Sequence, residues 1–164
     1  MEKLTLENIN ECLELLNTSS SLDFEFESNN VEDTKALGYS FAQYITPGMI
    51  ITLNGELGSG KTVFLSGLAS FFNAQDQVSS PTFTIVNEYN IGKDFPLYHF
   101  DVYRIENSDE FLEGIGTDYF ENGTCIIEWG DEIIPDILPS NTIHIDIIKD
   151  DDNLQKRTFK IWRK

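Results

Sequence analysis

Apolar positions along the chain follow two rhythms in turn. Leu6, Ile9, Leu13 and Leu16 recur at helical spacing, with Thr5 placed to cap them. Thr18 to Ser21 is a polar break. Leu22 to Phe26 then alternates apolar with acidic residues, a strand pattern. Asn30 with Asp33 resembles a capping box with a shortened acid. The helix it opens carries Leu37, Phe41 and Ile45 on one stripe and is expected to stop at Pro47-Gly48. Met49 to Leu53 is almost wholly apolar, as a buried parallel strand should be. Phe64, Leu65, Leu68, Phe71 and Phe72 mark the next helix. Phe83 to Tyr89 and Leu97 to Tyr103 read as strands about the turn at Gly92, and Asn107 with Glu110 caps a short helix ending before Gly114. Thr124 to Trp129 is another buried strand, and Thr142 to Ile148 with Arg157 to Trp162 forms a closing hairpin. Strands alternating with helices and then a hairpin predict an α/β fold, a mixed sheet with helices on its faces. Residues 1–21 read as an N-terminal helical extension and residues 22–164 as one domain.

Composition changes this picture through charge. The 164 residues carry a formal net charge of −17, and residues 105–148 hold eleven carboxylates with no Lys or Arg. Such a surface repels phosphate backbones and disfavours direct tRNA or duplex binding. It suits a basic protein partner, and it serves plain solubility equally well. Cys12 and Cys125 form neither a Cys-x-x-Cys pair nor a metal-ligand spacing and read as reduced, packed thiols. Glu2, Glu7, Glu11 and Glu14 are unlike a signal peptide, and no apolar run approaches a membrane span, so a cytoplasmic protein is expected.

The chemistry begins at Gly55-Glu56-Leu57-Gly58-Ser59-Gly60-Lys61-Thr62, a complete G-x-x-x-x-G-K-[ST] motif followed by Val63. The glycines let backbone N–H groups close around phosphate oxygens, and the helix starting near Lys61 turns its positive end to the same anion. Lys61 reaches the β- and γ-phosphates of ATP, and the Thr62 hydroxyl ligates Mg²⁺. A buried strand before the motif and an amphipathic helix after it supply the context that the motif requires.

A nucleotide site also needs a second magnesium ligand and a group that orients water, from the ends of neighbouring strands. Asp101, in Tyr98-His99-Phe100-Asp101-Val102-Tyr103-Arg104, and Glu128, in Ile126-Ile127-Glu128-Trp129, both qualify. A carboxylate closing a buried strand is costly unless a metal or hydrogen bonds satisfy it, although capping or ion pairing does so too. Ser80-Pro81-Thr82-Phe83 is either a strand-opening turn or a loop whose hydroxyls approach a γ-phosphate. His99 and His144 have no nearby ligand partner in sequence and read as hydrogen-bonded structural histidines. No Asp-x-x-Gly switch or Asn-Lys-x-Asp base reader of a Ras-type GTPase occurs, and three arginines are too few for the lid of an adenylate-type kinase. The class left standing is a slow or partner-dependent ATPase. The rivals are a small-molecule phosphotransferase and a nucleotide-gated binding module.

Gly55–Thr62, Ser80–Phe83, Tyr98–Arg104 and Ile127–Trp129 resemble, in order and spacing, the TsaE (YjeE) family of P-loop ATPases. Gly114-Ile115, Asp118-Tyr119-Phe120 and Ile137-Leu138-Pro139 add to the likeness, which spans about residues 23–164. The resemblance implies a three-layer α/β/α sandwich with a mixed, mostly parallel sheet. It implies Mg²⁺ held by Thr62 and Glu128, Asp101 and Lys61 as catalytic groups, Ser80 and Thr82 in a switch-like loop, and Thr34 beside the nucleotide base. It also implies TsaB and TsaD as partners, with tRNA reached only through them and ATP hydrolysis resetting their complex in threonylcarbamoyladenosine modification. Two features depart from the family: Gly130-Asp131 follows Glu-Trp where a glutamate two positions later is common, which leaves Asp131 without a role, and residues 1–21 lie upstream of the family's usual start. The charge distribution makes a first prediction. The isolated protein should show no tRNA binding in a shift assay at physiological salt, and a micromolar complex that weakens with added salt, as counterion release requires, would contradict it.

Overall fold

Ile50 to Leu53 are buried whichever face they point to, so their strand must lie inside a sheet covered on both sides. The computed structural model describes residues 3–79 and 85–164. Its strands are β1 (Lys3–Leu4), β2 (Leu22–Ser28), β3 (Ile50–Asn54), β4 (Val86–Tyr89), β5 (Leu97–Asp101), β6 (Thr124–Glu128), β7 (Ile143–Lys149) and β8 (Arg157–Arg163). They form one sheet in the order β1-β2-β8-β7-β3-β6-β5-β4. β3 pairs in parallel with β6 and β7, β6 with β5, and β1 with β2. The β2–β8, β7–β8 and β4–β5 pairings are antiparallel. The mixed, mostly parallel sheet and its C-terminal hairpin are therefore as expected.

Helices α1 (Ile9–Leu13), α2 (Val31–Ala42) and α3 (Lys61–Ser70) cover one face, and α4 (Ser108–Gly114), α5 (Tyr119–Asn122) and α6 (Gly130–Ile133) the other. Strand alternation sends Ile51 and Leu53 into the first core with Phe41, Phe64 and Phe159, and Ile50 into the second with Phe100, Phe111 and Phe120. These are the three layers that the family resemblance implied.

The N-terminal stripe is shorter than its spacing predicts. Ile9, Leu13 and Leu16 are fully buried in the first core, but Leu6 is 40% exposed. Residues 3–4 add an edge strand instead, and Thr5 does not cap α1: its N–H donates to Asn8 Oδ1 at 2.7 Å, from the residue at the cap position. The cap of α2 forms as expected, with Asn30 Oδ1 accepting from the N–H of Asp33 at 2.8 Å. Asp33 Oδ2 reaches back one residue further than a capping box requires, to the N–H of Asn29 at 2.9 Å. α2 ends at Ala42, before Ile45, which is nonetheless buried.

α2 and α3 pack directly on one another because glycines let their backbones meet. A Cβ on Gly67 would strike the carbonyl oxygen and Cα of Lys35, and one on Gly38 would strike the Phe64 carbonyl and the Leu68 N–H. The crossing matters to the site, since α2 carries Thr34 and α3 begins with Lys61 and Thr62. Gly67→Ala should push the helices apart and lower stability by about 1–3 kcal/mol, as overpacking does. Chemical denaturation would check this, and a wild-type midpoint would contradict it.

Candidate functional site

The C-terminal ends of β3, β5 and β6 lie level, with Leu53 paired to Glu128 and Asp101 paired to Glu128 across the sheet. The glycine loop leaves β3 at this edge. Gly58 (φ +76°) and Gly60 (φ +111°) occupy the left-handed region, where a side chain would be strained. Gly55 is held for a different reason, because a Cβ there would lie 2.5 Å from Ser59 Oγ and 2.9 Å from the Ile147 carbonyl oxygen. The loop, Lys61, Thr62, Asp101, Glu128 and Trp129 line a cavity of about 240 Å³. A larger groove of about 520 Å³ lies elsewhere, beside β1 and the start of α2, but Glu7, Glu27 and Asp33 line it, and their charge opposes a phosphate.

Within the cavity Lys61 is nearly buried, at 7% exposure. Its Nζ donates to the Gly55 carbonyl at 2.6 Å and sits 4.3 Å from the centre of the Trp129 ring. Burial lowers its pKa, against the raising effect of Glu128, Asp101 and Glu132. Trp129 reaches this position with φ +67°, a left-handed backbone that costs a non-glycine residue about 1–3 kcal/mol. Its ring also lies 5.1 Å from that of Tyr103. Asp101 has its carboxyl pKa raised, first by burial and then by Glu128, against the N–H of Tyr103, which donates to Oδ1 at 3.1 Å.

Glu128 is buried at 4% exposure and is held by a side chain that sequence reading left without a ligand role. His99 Nε2 lies 2.7 Å from Glu128 Oε2, and His99 Nδ1 lies 2.9 Å from the Tyr89 hydroxyl. Tyr89 Oη in turn lies 3.0 Å from the Ser79 carbonyl oxygen and accepts from the Ser79 N–H at 3.3 Å. A hydrogen-bonded chain thus runs from buried Glu128 to the backbone of Ser79. The two-residue step from His99 to Asp101 was its one signal in sequence, since it puts both side chains on the face that Glu128 shares.

Thr34 comes to the loop buried at 3% exposure. Its Oγ1 lies 2.7 Å from Ser28 Oγ, and its methyl group lies under Gly60. Ser80 and Thr82 lie outside the described residues. Asp131 belongs to a separate polar cluster on the opposite face of the sheet, where it accepts from Asn54 Nδ2 at 2.6 Å and pairs with His144 Nδ1 at 2.7 Å. His144 stacks on Trp162 with ring centres 4.0 Å apart. Neither Cys12 nor Cys125 is in a disulfide, and burial pushes Cys125 up to about 12, which leaves it inert at neutral pH.

The residues present fit a magnesium-bound polyphosphate. A left-handed glycine loop at a helix start, a buried ammonium, an exposed Thr62 and two carboxylates all face one cavity. No helix among the described residues is long and apolar enough to cross a membrane.

Fold and loop together define a P-loop protein of the nucleotide-binding α/β class. The model of the family described as threonylcarbamoyl adenosine biosynthesis protein TsaE matches residues 28–159, and the chain belongs to that family. It is 42% identical over 130 residues to the tRNA threonylcarbamoyladenosine biosynthesis protein TsaE of Bacillus subtilis, covering 79% of this chain and 80% of that one. It is 35% identical over 121 residues to the TsaE of Treponema pallidum, covering 73% and 87%. The crystal structure of Bacillus subtilis YdiB superposes with a TM-score of 0.65 at 33% identity, covering 87% of this chain and 86% of that one. The family places the chain in the biosynthesis of threonylcarbamoyladenosine on tRNA.

Asp101 makes a prediction with a definite sign. Its pKa is raised in the folded state, so the ionised form is disfavoured there. That cost is fully present above the folded pKa and disappears as pH falls through the ordinary carboxylate range. Asp101→Asn should therefore melt above the wild type at neutral pH, with the gap closing towards pH 4. An equal gap at both pH values would refute the electrostatic origin.

Proposed function

We infer that the chain binds ATP with Mg²⁺ in this cavity and hydrolyses it, slowly alone and faster with protein partners. The observation that carries the reading is the convergence of Lys61, Thr62, Asp101 and Glu128 on one cavity beneath the left-handed glycine loop. The loop N–H groups and Lys61 would hold the phosphates, and Thr62 and Glu128 the magnesium. The bound metal would supply charge neutralisation at the transferring phosphate. Asp101, poised by burial, would orient the attacking water and accept its proton. Thr34, packed against Gly60, would lie beside the nucleotide base. The product of this cycle is a change of state in a protein complex: ATP turnover would reset TsaB–TsaD between rounds, with tRNA reached only through those partners, in the cytoplasm.

The phosphotransferase rival needs cations to clamp a second substrate. Arg157 and Arg163 are already spent on backbone carbonyls, Arg163 on Asn141, Ser19 and Leu16, and Arg157 on the glycine loop and the hairpin turn. The deciding experiment is ATP turnover by the protein alone and with purified TsaB, TsaD and tRNA. Lys61→Ala should lose ATP affinity at least tenfold while keeping its fold, since it removes the cation of the cradle. Glu128→Ala should lose the magnesium-dependent part of ATP affinity, whereas Asp101→Ala should keep it and turn over slowly. Titrations with and without Mg²⁺ separate the two roles, and the reverse pattern would exchange them.

A further inference from the structure

The crest of the glycine loop is held from outside by the C-terminal hairpin, some ninety residues away in sequence. Lys149, the last residue of β7, donates from Nζ to the Leu57 carbonyl at 2.7 Å. Arg157, the first residue of β8, donates from Nε to the Ser59 carbonyl at 2.9 Å and from Nη2 to the Gly58 carbonyl at 3.3 Å. The remaining fork nitrogen, Nη1, ties down the turn itself through the carbonyls of Leu154 and Lys156, both at 2.8 Å. Three successive loop carbonyls thus have cationic donors, and all three come from the two ends of one hairpin.

The consequence follows from covalent geometry. All peptide bonds among the described residues are trans, and in a trans peptide the C=O and the following N–H point in opposite directions. Holding the Leu57 carbonyl outward turns the Gly58 N–H towards the cavity, and holding the Ser59 carbonyl outward does the same for the Gly60 N–H. The middle peptide differs, because the Ser59 N–H closes a turn onto the Glu56 carbonyl at 3.0 Å. Gly58 and Gly60 are also the two loop residues in the left-handed region, where glycine is the most freely deformable residue and least able to hold a conformation unaided.

The geometry points to Lys149 and Arg157 as positioning residues that preorganise the phosphate cradle from its outer side. They act through the backbone, and the guanidinium fork is essential because it holds two consecutive carbonyls at once, which an ammonium cannot do from one position. This rests on the P-loop cavity being the phosphate site.

The test is calorimetric titration of the full chain with ADP and with inorganic tripolyphosphate, both without Mg²⁺, at low and high salt. Arg157→Lys keeps the charge and loses the fork. It should weaken both ligands about tenfold, the worth of a charge-assisted hydrogen bond, at both salt concentrations. Lys149→Met, at an exposed position that the fold does not need, should weaken both about threefold, and its unchanged melting temperature guards against a folding defect. Arg157→Lys at wild-type affinity, or losses in the Lys149 and Arg157 variants that vanish at high salt, would reduce these residues to long-range attraction and overturn the inference. Lys61→Ala is the control arm. If it too kept wild-type affinity for ADP and tripolyphosphate, the P-loop reading would fall first and take this inference with it.

Discussion

A loop that aims its amide N–H groups at one anion must turn its carbonyls the other way, and each needs a donor. In this protein the carbonyls of Gly55 to Ser59 all have such donors. The carbonyl of Gly55 takes Lys61, that of Glu56 takes the Ser59 N–H, and those of Leu57, Gly58 and Ser59 take the hairpin cations. The hairpin can supply those cations because β7 lies beside β3 in the sheet and β8 beside β7. The other side of the loop needs α2 and α3 to meet without side chains between them, which Gly38 and Gly67 permit.

The site holds its charges in an environment that opposes them. Burial lowers the pKa of Lys61 and raises that of Asp101, while Trp129 keeps a left-handed backbone to seat its ring over the ammonium. Groups desolvated in advance of the ligand need no reorganisation when charge develops beside them, which is where electrostatic catalysis gains most. Glu128 is the exception, already answered by the His99–Tyr89 chain, which takes one carboxylate oxygen and leaves the other without a protein partner of its own in that chain. The raised pKa of Asp101 and the left-handed backbone of Trp129 each cost folding stability, a pattern common at functional sites.

Charge is divided along the chain in the same sense. Six of the eleven Lys and Arg residues fall within residues 149–164, the strand end and hairpin that hold the loop, while residues 105–148 carry only acids. The cations of the hairpin are largely committed: Lys156 pairs with Glu27 at 3.3 Å, and Arg157 and Arg163 bind carbonyls. The acidic stretch, in contrast, supplies α4, α5 and α6 as well as β6. That stretch offers no cation to a phosphate backbone.

The glycine loop, the buried strands and the capping residues Asn30 and Asn107 could be read from sequence, because each is decided by contacts within a few residues. So could Asp101 and Glu128, as carboxylates closing apolar strands. Helix ends were less legible: α2 stops before Ile45 although the stripe continues, because burial and helicity are separate requirements. Thr5 looked like a cap, but β1 pairs with β2, and that pairing decides where the first helix can start. The partner of Glu128, the support of the loop by Lys149 and Arg157, and the placing of Asp131 with Asn54 and His144 had no comparable local signal. They join residues 13 to 99 positions apart across a sheet whose strand order is not the chain order. Sequence by itself determined the family and the candidate chemical groups, since side-chain identity and short spacing are local properties. Only the tertiary structure decided what holds that chemistry in place, since a hydrogen bond between distant residues exists only once the sheet has set its register.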